Sequence, residues 1–207
     1  MGDMAQKQKR HRTFIRIILV LVISVTIFMT ITCEKREDPP FTISLPENWS
    51  YVSPDKYDSP PIKAYNEQKK LTLKSVFTAN PYGVATMPYA LLFQMDMPRI
   101  PESEIPKLNN IIKERIPNLL GHPDVKKYTI KEISWDNEKK QFKIDAMRVY
   151  NNGSTVNAYY RYYYTQKGVY FLVGMARSSE TEFNELLKET MSNVTFGRNV
   201  RYRPFKK

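Results

Sequence analysis

The chain has one cysteine, Cys33, in 207 residues. A lone thiol excludes an internal disulfide framework, and it excludes zinc or iron–sulfur sites that need several cysteines. Histidine is nearly as scarce. His11 and His122 are the two, which excludes a multi-histidine metal centre and makes a histidine-based catalytic pair hard to assemble. Seven glycines leave little material for a phosphate-cradling loop. Acidic residues are outnumbered, 21 Asp+Glu against 32 Lys+Arg, for a net charge of +11. Among the carboxylates, Asp96, Asp136 and Asp145 are scattered, with no spacing that points to paired acid–base work. Neither a metal nor a cofactor is expected, and the pattern predicts a protein that is not an enzyme. What is present is a composition of 42% hydrophobic and 26% charged residues, enough to bury a core, and one long apolar run.

That run decides the compartment. From Ile17 to Cys33 no residue is charged, and Lys7, Lys9, Arg10, Arg12 and Arg16 precede it. A basic flank followed by an apolar stretch is the pattern of Sec-type insertion: the bases stay at the anionic cytoplasmic face, and the run partitions into hydrocarbon. At 1.5 Å per residue, a helix over 14–33 just spans a hydrocarbon layer of ~30 Å. Residues 1–13 then form a cytoplasmic flank, and residues 34–207 lie on the extracytoplasmic side. Two anchors are compatible with this. Cys33 stands where the lipid acceptor of a bacterial lipoprotein would stand, with Thr30 and Thr32 at the flanking signal positions; or 14–33 is an uncleaved signal-anchor.

Beyond the anchor, residues 34–40 are charged, end in two prolines and read as a tether. Phe41–Leu45 alternates apolar and polar residues and is predicted as a strand, as is 70–78, with Ile62–Tyr65 a candidate hairpin partner. Tyr89, Leu91, Phe93, Met95 and Met97 share one face of a further strand, with Ala90 and Leu92 on the other. Ile105, Leu108, Ile111, Ile112, Ile116 and Leu119 follow helical spacing, with Ser103 as cap and Pro117 as its end or kink. Strands are predicted over 127–135, 141–150, 156–165 and 169–176, joined as an antiparallel meander. Ser179 and Glu182 have capping-box spacing before a closing helix carrying Phe183, Leu186, Leu187, Met191 and Val194 on one stripe. A basic tail over 197–207 completes the chain. The class is α+β: an antiparallel β-sheet flanked by helices, as an α/β/α sandwich, preceded by the membrane segment.

The order of these elements resembles the Mog1/PsbP-like superfamily, which includes small bacterial envelope proteins of the PsbP and DcrB types. Phe41-Thr-Ile-Ser-Leu-Pro-Glu-Asn-Trp49 is similar to the group's opening strand, proline and tryptophan. Gly168-Val-Tyr-Phe-Leu-Val173 resembles its penultimate strand, and Glu182–Phe196, closing in Val194-Thr-Phe196, resembles its last helix. The likeness covers 41–196. It implies an antiparallel sheet with helices on both sides and a binding or assembly factor, and it brings no catalytic residues.

Two stretches are candidate binding surfaces. In Tyr159-Tyr-Arg-Tyr-Tyr-Tyr164 strand geometry sends Tyr160, Tyr162 and Tyr164 one way and Tyr159, Arg161 and Tyr163 the other. Such a run is either a sheet packed beneath helices or an exposed aromatic surface for a peptide or glycan. In the tail, Arg201, Tyr202 and Arg203 interleave base and aromatic. With the domain outside the cytoplasm, anionic lipid headgroups fit this pattern better than nucleic acid, which is not an expected partner. The sequence therefore predicts a membrane-anchored bacterial envelope protein, moored through 14–33. It is expected to bind or assemble an unknown envelope protein, a peptide or an anionic lipid. The alternatives are an enzyme that modifies envelope polymers through an acidic site, and a structural subunit of an envelope complex.

Overall fold

The computed structural model describes residues 40–54, 71–79, 87–95 and 97–203. The expectations placed on the flank, the segment 14–33, Cys33 and the tether up to residue 39 lie outside the described residues. So do the candidate strand at 62–65 and the chain end at 204–207.

Period-two patterning builds most of what is described. Among the described residues nine strands form: β1 (Phe41–Thr42), β2 (Ser50–Val52), β3 (Leu71–Thr78), β4 (Tyr89–Met95), β5 (Val125–Asp136), β6 (Gln141–Tyr150), β7 (Thr155–Thr165), β8 (Gly168–Arg177) and β9 (Thr195–Phe196). Two α-helices join them, α1 (Ile105–Leu120) between β4 and β5, and α2 (Thr181–Ser192) between β8 and β9. Seven strands make one antiparallel sheet in the order β2-β3-β4-β8-β7-β6-β5. β1 and β9 pair separately, Phe41 opposite Phe196, and bring the two ends of the fold together.

The sheet has apolar residues on both faces, and one helix covers each. Ile105, Ile116 and Leu120 of α1 join Leu91, Phe93, Phe142, Ile144, Tyr160 and Phe171 in one core. Leu187 and Met191 of α2 join Ala90, Leu92, Tyr159, Tyr163, Tyr170 and Leu172 in the other. Consecutive residues of β4 and β8 are therefore both buried, which is why these strands read as nearly continuous apolar runs. Among the described residues no helix is long and apolar enough to cross a membrane.

Several local expectations change. β1 pairs only over Phe41–Thr42, while Ile43 and Leu45 pack against the α2-side core without a ladder. α1 runs through Pro117 to Leu120, with Pro106 in its first turn. A proline so near the end removes one amide hydrogen bond, and the Pro117 carbonyl still accepts from the Gly121 amide at 2.8 Å. Ser179 does not cap α2. The helix starts at Thr181, and Asn184 instead donates to the Arg177 and Glu180 carbonyls at 2.8 and 2.7 Å. The tail expected from residue 197 packs further than predicted: Val200 is buried at 3% exposure, and its carbonyl accepts from the Gln166 amide at 2.8 Å.

Candidate functional site

The tyrosine run of β7 divides as alternation requires. Tyr160 and Tyr164 are 1% and 2% exposed beneath α1, and the Tyr164 hydroxyl donates to Asn109 Oδ1 of α1 at 2.6 Å. These two residues are core: of the two alternatives, the sheet packed beneath a helix holds for them, and their place on a candidate binding surface is corrected. The cause is α1, whose apolar stripe needs the same face. Tyr162 differs. It is partly buried, stacks on Phe171 at 4.4 Å between ring centroids, and reaches the wall of a groove.

That groove, of about 940 Å³, lies between α1 and the sheet. Leu108, Ile111, Ile112 and Leu119 of α1 form one wall. Tyr89 and Met95 of β4, Tyr162 of β7 and Met175 of β8 form the other, and Tyr89 donates its hydroxyl toward Met175 Sδ at 3.1 Å. At one end stand Arg115, Arg148, Tyr150, His122 and Asp124. Asp124 is the one carboxylate among the described residues lining it. It sits 3.3 Å from His122 Nδ1, and both side chains are mostly in solvent.

Arg148 is the unusual member. It is 7% exposed. Its guanidinium donates to the Leu119 carbonyl at the end of α1 and lies over the Tyr160 ring, 5.8 Å from the centroid. Its Nε has no partner, and no carboxylate lies within ion-pairing distance among the described residues. A buried cation without a counter-charge is costly. A helix C-terminus and a ring face offset part of that cost, and an anion in the groove would offset more. Sequence reasoning passed over this residue, although a signal was there. Phe142, Ile144, Ala146 and Arg148 fall in one phase of β6, so the alternation placed a charge on an apolar face.

The opposite face carries a different cluster. Arg161 of β7 is 1% exposed and donates to Asp145 Oδ1 of β6 at 2.6 Å. Lys188 of α2 stands 3.4 Å from the second Asp145 oxygen. Nearby, Asn157 donates to Asn184 Oδ1 at 2.8 Å, as does the Tyr159 hydroxyl at 3.1 Å. Lys131 donates to Asn157 Oδ1 at 2.9 Å. These groups pair with one another and tie α2 to the sheet, although Arg161 Nε, like Arg148 Nε, is buried without a hydrogen-bond partner.

The tail candidates sit elsewhere again. Arg201 and Tyr202 line a 500 Å³ cleft with Lys139, Lys140, Tyr163 and Phe196. Tyr202 donates to the Ile100 carbonyl at 3.1 Å, and Arg99 lies over its ring. Arg203 is exposed and donates to the Arg198 carbonyl at 3.1 Å. The fold therefore does not gather Tyr160, Tyr162, Tyr164, Arg201, Tyr202 and Arg203 into one surface. Among the described residues no group of three or more His, Cys, Asp or Glu is placed to hold a metal ion.

No protein-family model matches the chain, and no curated protein matches it in sequence. Among solved structures it is similar to LpqN, described as involved in cell envelope biogenesis of Mycobacterium tuberculosis. The TM-score is 0.45 and the identity 11%, over 80% of this chain and 87% of LpqN.

Proposed function

We propose that this chain is a non-catalytic binding protein of the bacterial envelope, moored through residues 14–33, whose folded unit holds an amphiphile in the groove beside α1. The ligand has an apolar chain and an anionic head. The single observation that supports this most is Arg148: a guanidinium nine-tenths buried, with no carboxylate in ion-pairing distance among the described residues, at the polar end of a groove whose two walls are mainly apolar. Leu108, Ile112, Tyr162 and Met175 suit an alkyl chain, because apolar area removed from water contributes about 25 cal/mol per Å². The likeness to the Mog1/PsbP-like superfamily, read from element order, belongs to the same proposal and favours a binder over an enzyme.

An enzyme acting through paired carboxylates finds less support. The groove offers Asp124 alone among its described lining residues, and Asp145 on the other face is committed to Arg161 and Lys188.

Titration of the full chain with a long-chain carboxylate, read by displacement of a fluorescent acyl probe, tests the proposal. The expected result is saturable binding, weakened ~10-fold or more by Arg148→Met and weakened also when the carboxylate is replaced by an alcohol. Absence of saturable binding, or equal affinity in the wild type and a folded Arg148→Met chain, would remove the reading.

A further inference from the structure

β5 forms one edge of the large sheet and is its longest strand, at 12 residues. An edge of that length presents a row of free backbone donors and acceptors. Its α1-side face also carries the largest exposed apolar side chains of the strand: Ile130, Ile133 and Trp135 are 41%, 38% and 36% exposed. The sequence from Lys127 to Asp136, Lys-Tyr-Thr-Ile-Lys-Glu-Ile-Ser-Trp-Asp, has a property that no strand among the described residues uses on this edge. Laid antiparallel on itself about the bond between Lys131 and Glu132, it pairs Lys127 with Asp136, Tyr128 with Trp135, Thr129 with Ser134, Ile130 with Ile133, and Lys131 with Glu132. Each pair is charge-opposite, aromatic, hydroxyl-bearing or aliphatic with its like.

The structure supplies what the sequence leaves open. In a regular strand Ile130 and Ile133 would face opposite sides, and the register would fail. A bulge between Ile130 and Glu132 adds one residue there. Ile130 lies opposite Ala146 and Ile133 opposite Ile144, both in the α1-side core, so the two isoleucines share a face. Lys131 reaches Asn157 and Glu132 reaches Lys188, both on the α2 side. The faces are thus symmetric about the same point as the chemistry, which is the condition for a twofold axis normal to the sheet.

We propose that β5 pairs antiparallel with β5 of a second copy of this chain, in this register. Charges and bulges on edge strands ordinarily repel a second copy. Here each charge meets its opposite, and the bulge aligns the faces. The apolar stripe stands beside its own counterpart, where cross-strand aliphatic and aromatic pairs stabilise a ladder. The interface is separate from the groove and does not depend on the ligand.

Sedimentation velocity on the full chain in mild detergent tests this. The expected result is a dimer. Lys131→Glu, which gathers acidic groups around the axis, raises its dissociation constant ~10-fold or more, and adding Glu132→Lys restores it. Ile130→Arg reads the same axis from the other face if Lys131→Glu impairs folding. In a Cys33→Ser background, Thr129→Cys with Ser134→Cys gives an oxidised covalent dimer, while either change alone does not. A monomeric wild type, a dimer indifferent to both Lys131→Glu and Ile130→Arg, or single cysteines that cross-link as well as the pair would overturn the proposal.

Discussion

Tyr159, Tyr163 and Tyr164 carry their hydroxyls into the two cores. Burial, and then the neighbouring Asp145 charge, push the Tyr159 hydroxyl up to about 12. Burial likewise raises Tyr163 and Tyr164. In the unfolded chain these phenols ionise near 10. Above that pH the unfolded chain releases protons that the folded chain keeps, and mass action favours unfolding. The stabilisation is complete below the unfolded value and is lost as pH rises through the folded values. The urea midpoint is therefore expected to fall steeply from about pH 9 to about pH 12, with phenolate absorbance rising in step with unfolding. Equal midpoints across that range would contradict the burial of these hydroxyls. At the same scale, the run Tyr159–Tyr164 shows what a sequence can display without resolving. Alternation assigned each tyrosine to a face, but only the position of α1 made Tyr160 and Tyr164 core and left Tyr162 at the groove.

α2 meets the sheet at Gly174 of β8. A Cβ there would lie 2.2 Å from Met191 Sδ and 3.1 Å from Leu187 Cδ1, so these two side chains of α2 would have to shift to admit it. Gly174→Ala is expected to lower stability by ~1–3 kcal/mol through overpacking. The urea midpoint should fall with the slope unchanged, and Met191→Ala should recover part of the loss. No recovery would mean that the contact is not the cause. The long strands and the stretch of α1 were readable, because their apolar residues repeat with periods of 2 and 3.6 over many residues. The ends were less so. Ser179 and Glu182 had the right spacing for a cap, yet α2 begins at Thr181 with Glu180 at the cap position and no side-chain cap bond, while the Asn184 side chain ties the helix to the Arg177 and Glu180 carbonyls. The stripe of α2 also turned: Asn184, Leu187, Thr190 and Met191 are its buried residues, while Phe183 and Leu186 are half-buried.

For the molecule as a whole, the proposed location follows from five bases ahead of the uncharged run Ile17–Cys33. A reporter that is active only outside the cytoplasm, fused after Lys207, is expected to be active in intact cells, and the chain is expected to stay with membranes through a high-salt wash. Mass spectrometry of the N-terminus separates the two anchors, since an acyl group on Cys33 and an intact Met1 start differ in mass. An inactive reporter with the chain in the soluble fraction would contradict the location. If the proposals hold, the tether, the groove and the β5 edge make distinct demands on one small unit: to be held near a lipid surface, to take a ligand between α1 and the sheet, and to meet a second copy at the edge.

Local sequence determined the identity of most elements, the apolar residues on both faces of β4, the alternation of the β7 tyrosines, and the absence of cysteine- or histidine-rich sites. These depend on periodicity and composition, which neighbouring residues along the chain carry between them. The tertiary structure alone decided that Arg148 faces a groove rather than a carboxylate, that Asp145 and Arg161 meet across adjacent strands, and that a bulge at Lys131 makes the faces of β5 symmetric. Each of these depends on a distance between residues far apart in the chain, or on one inserted residue in a ladder, and a one-dimensional pattern fixes neither.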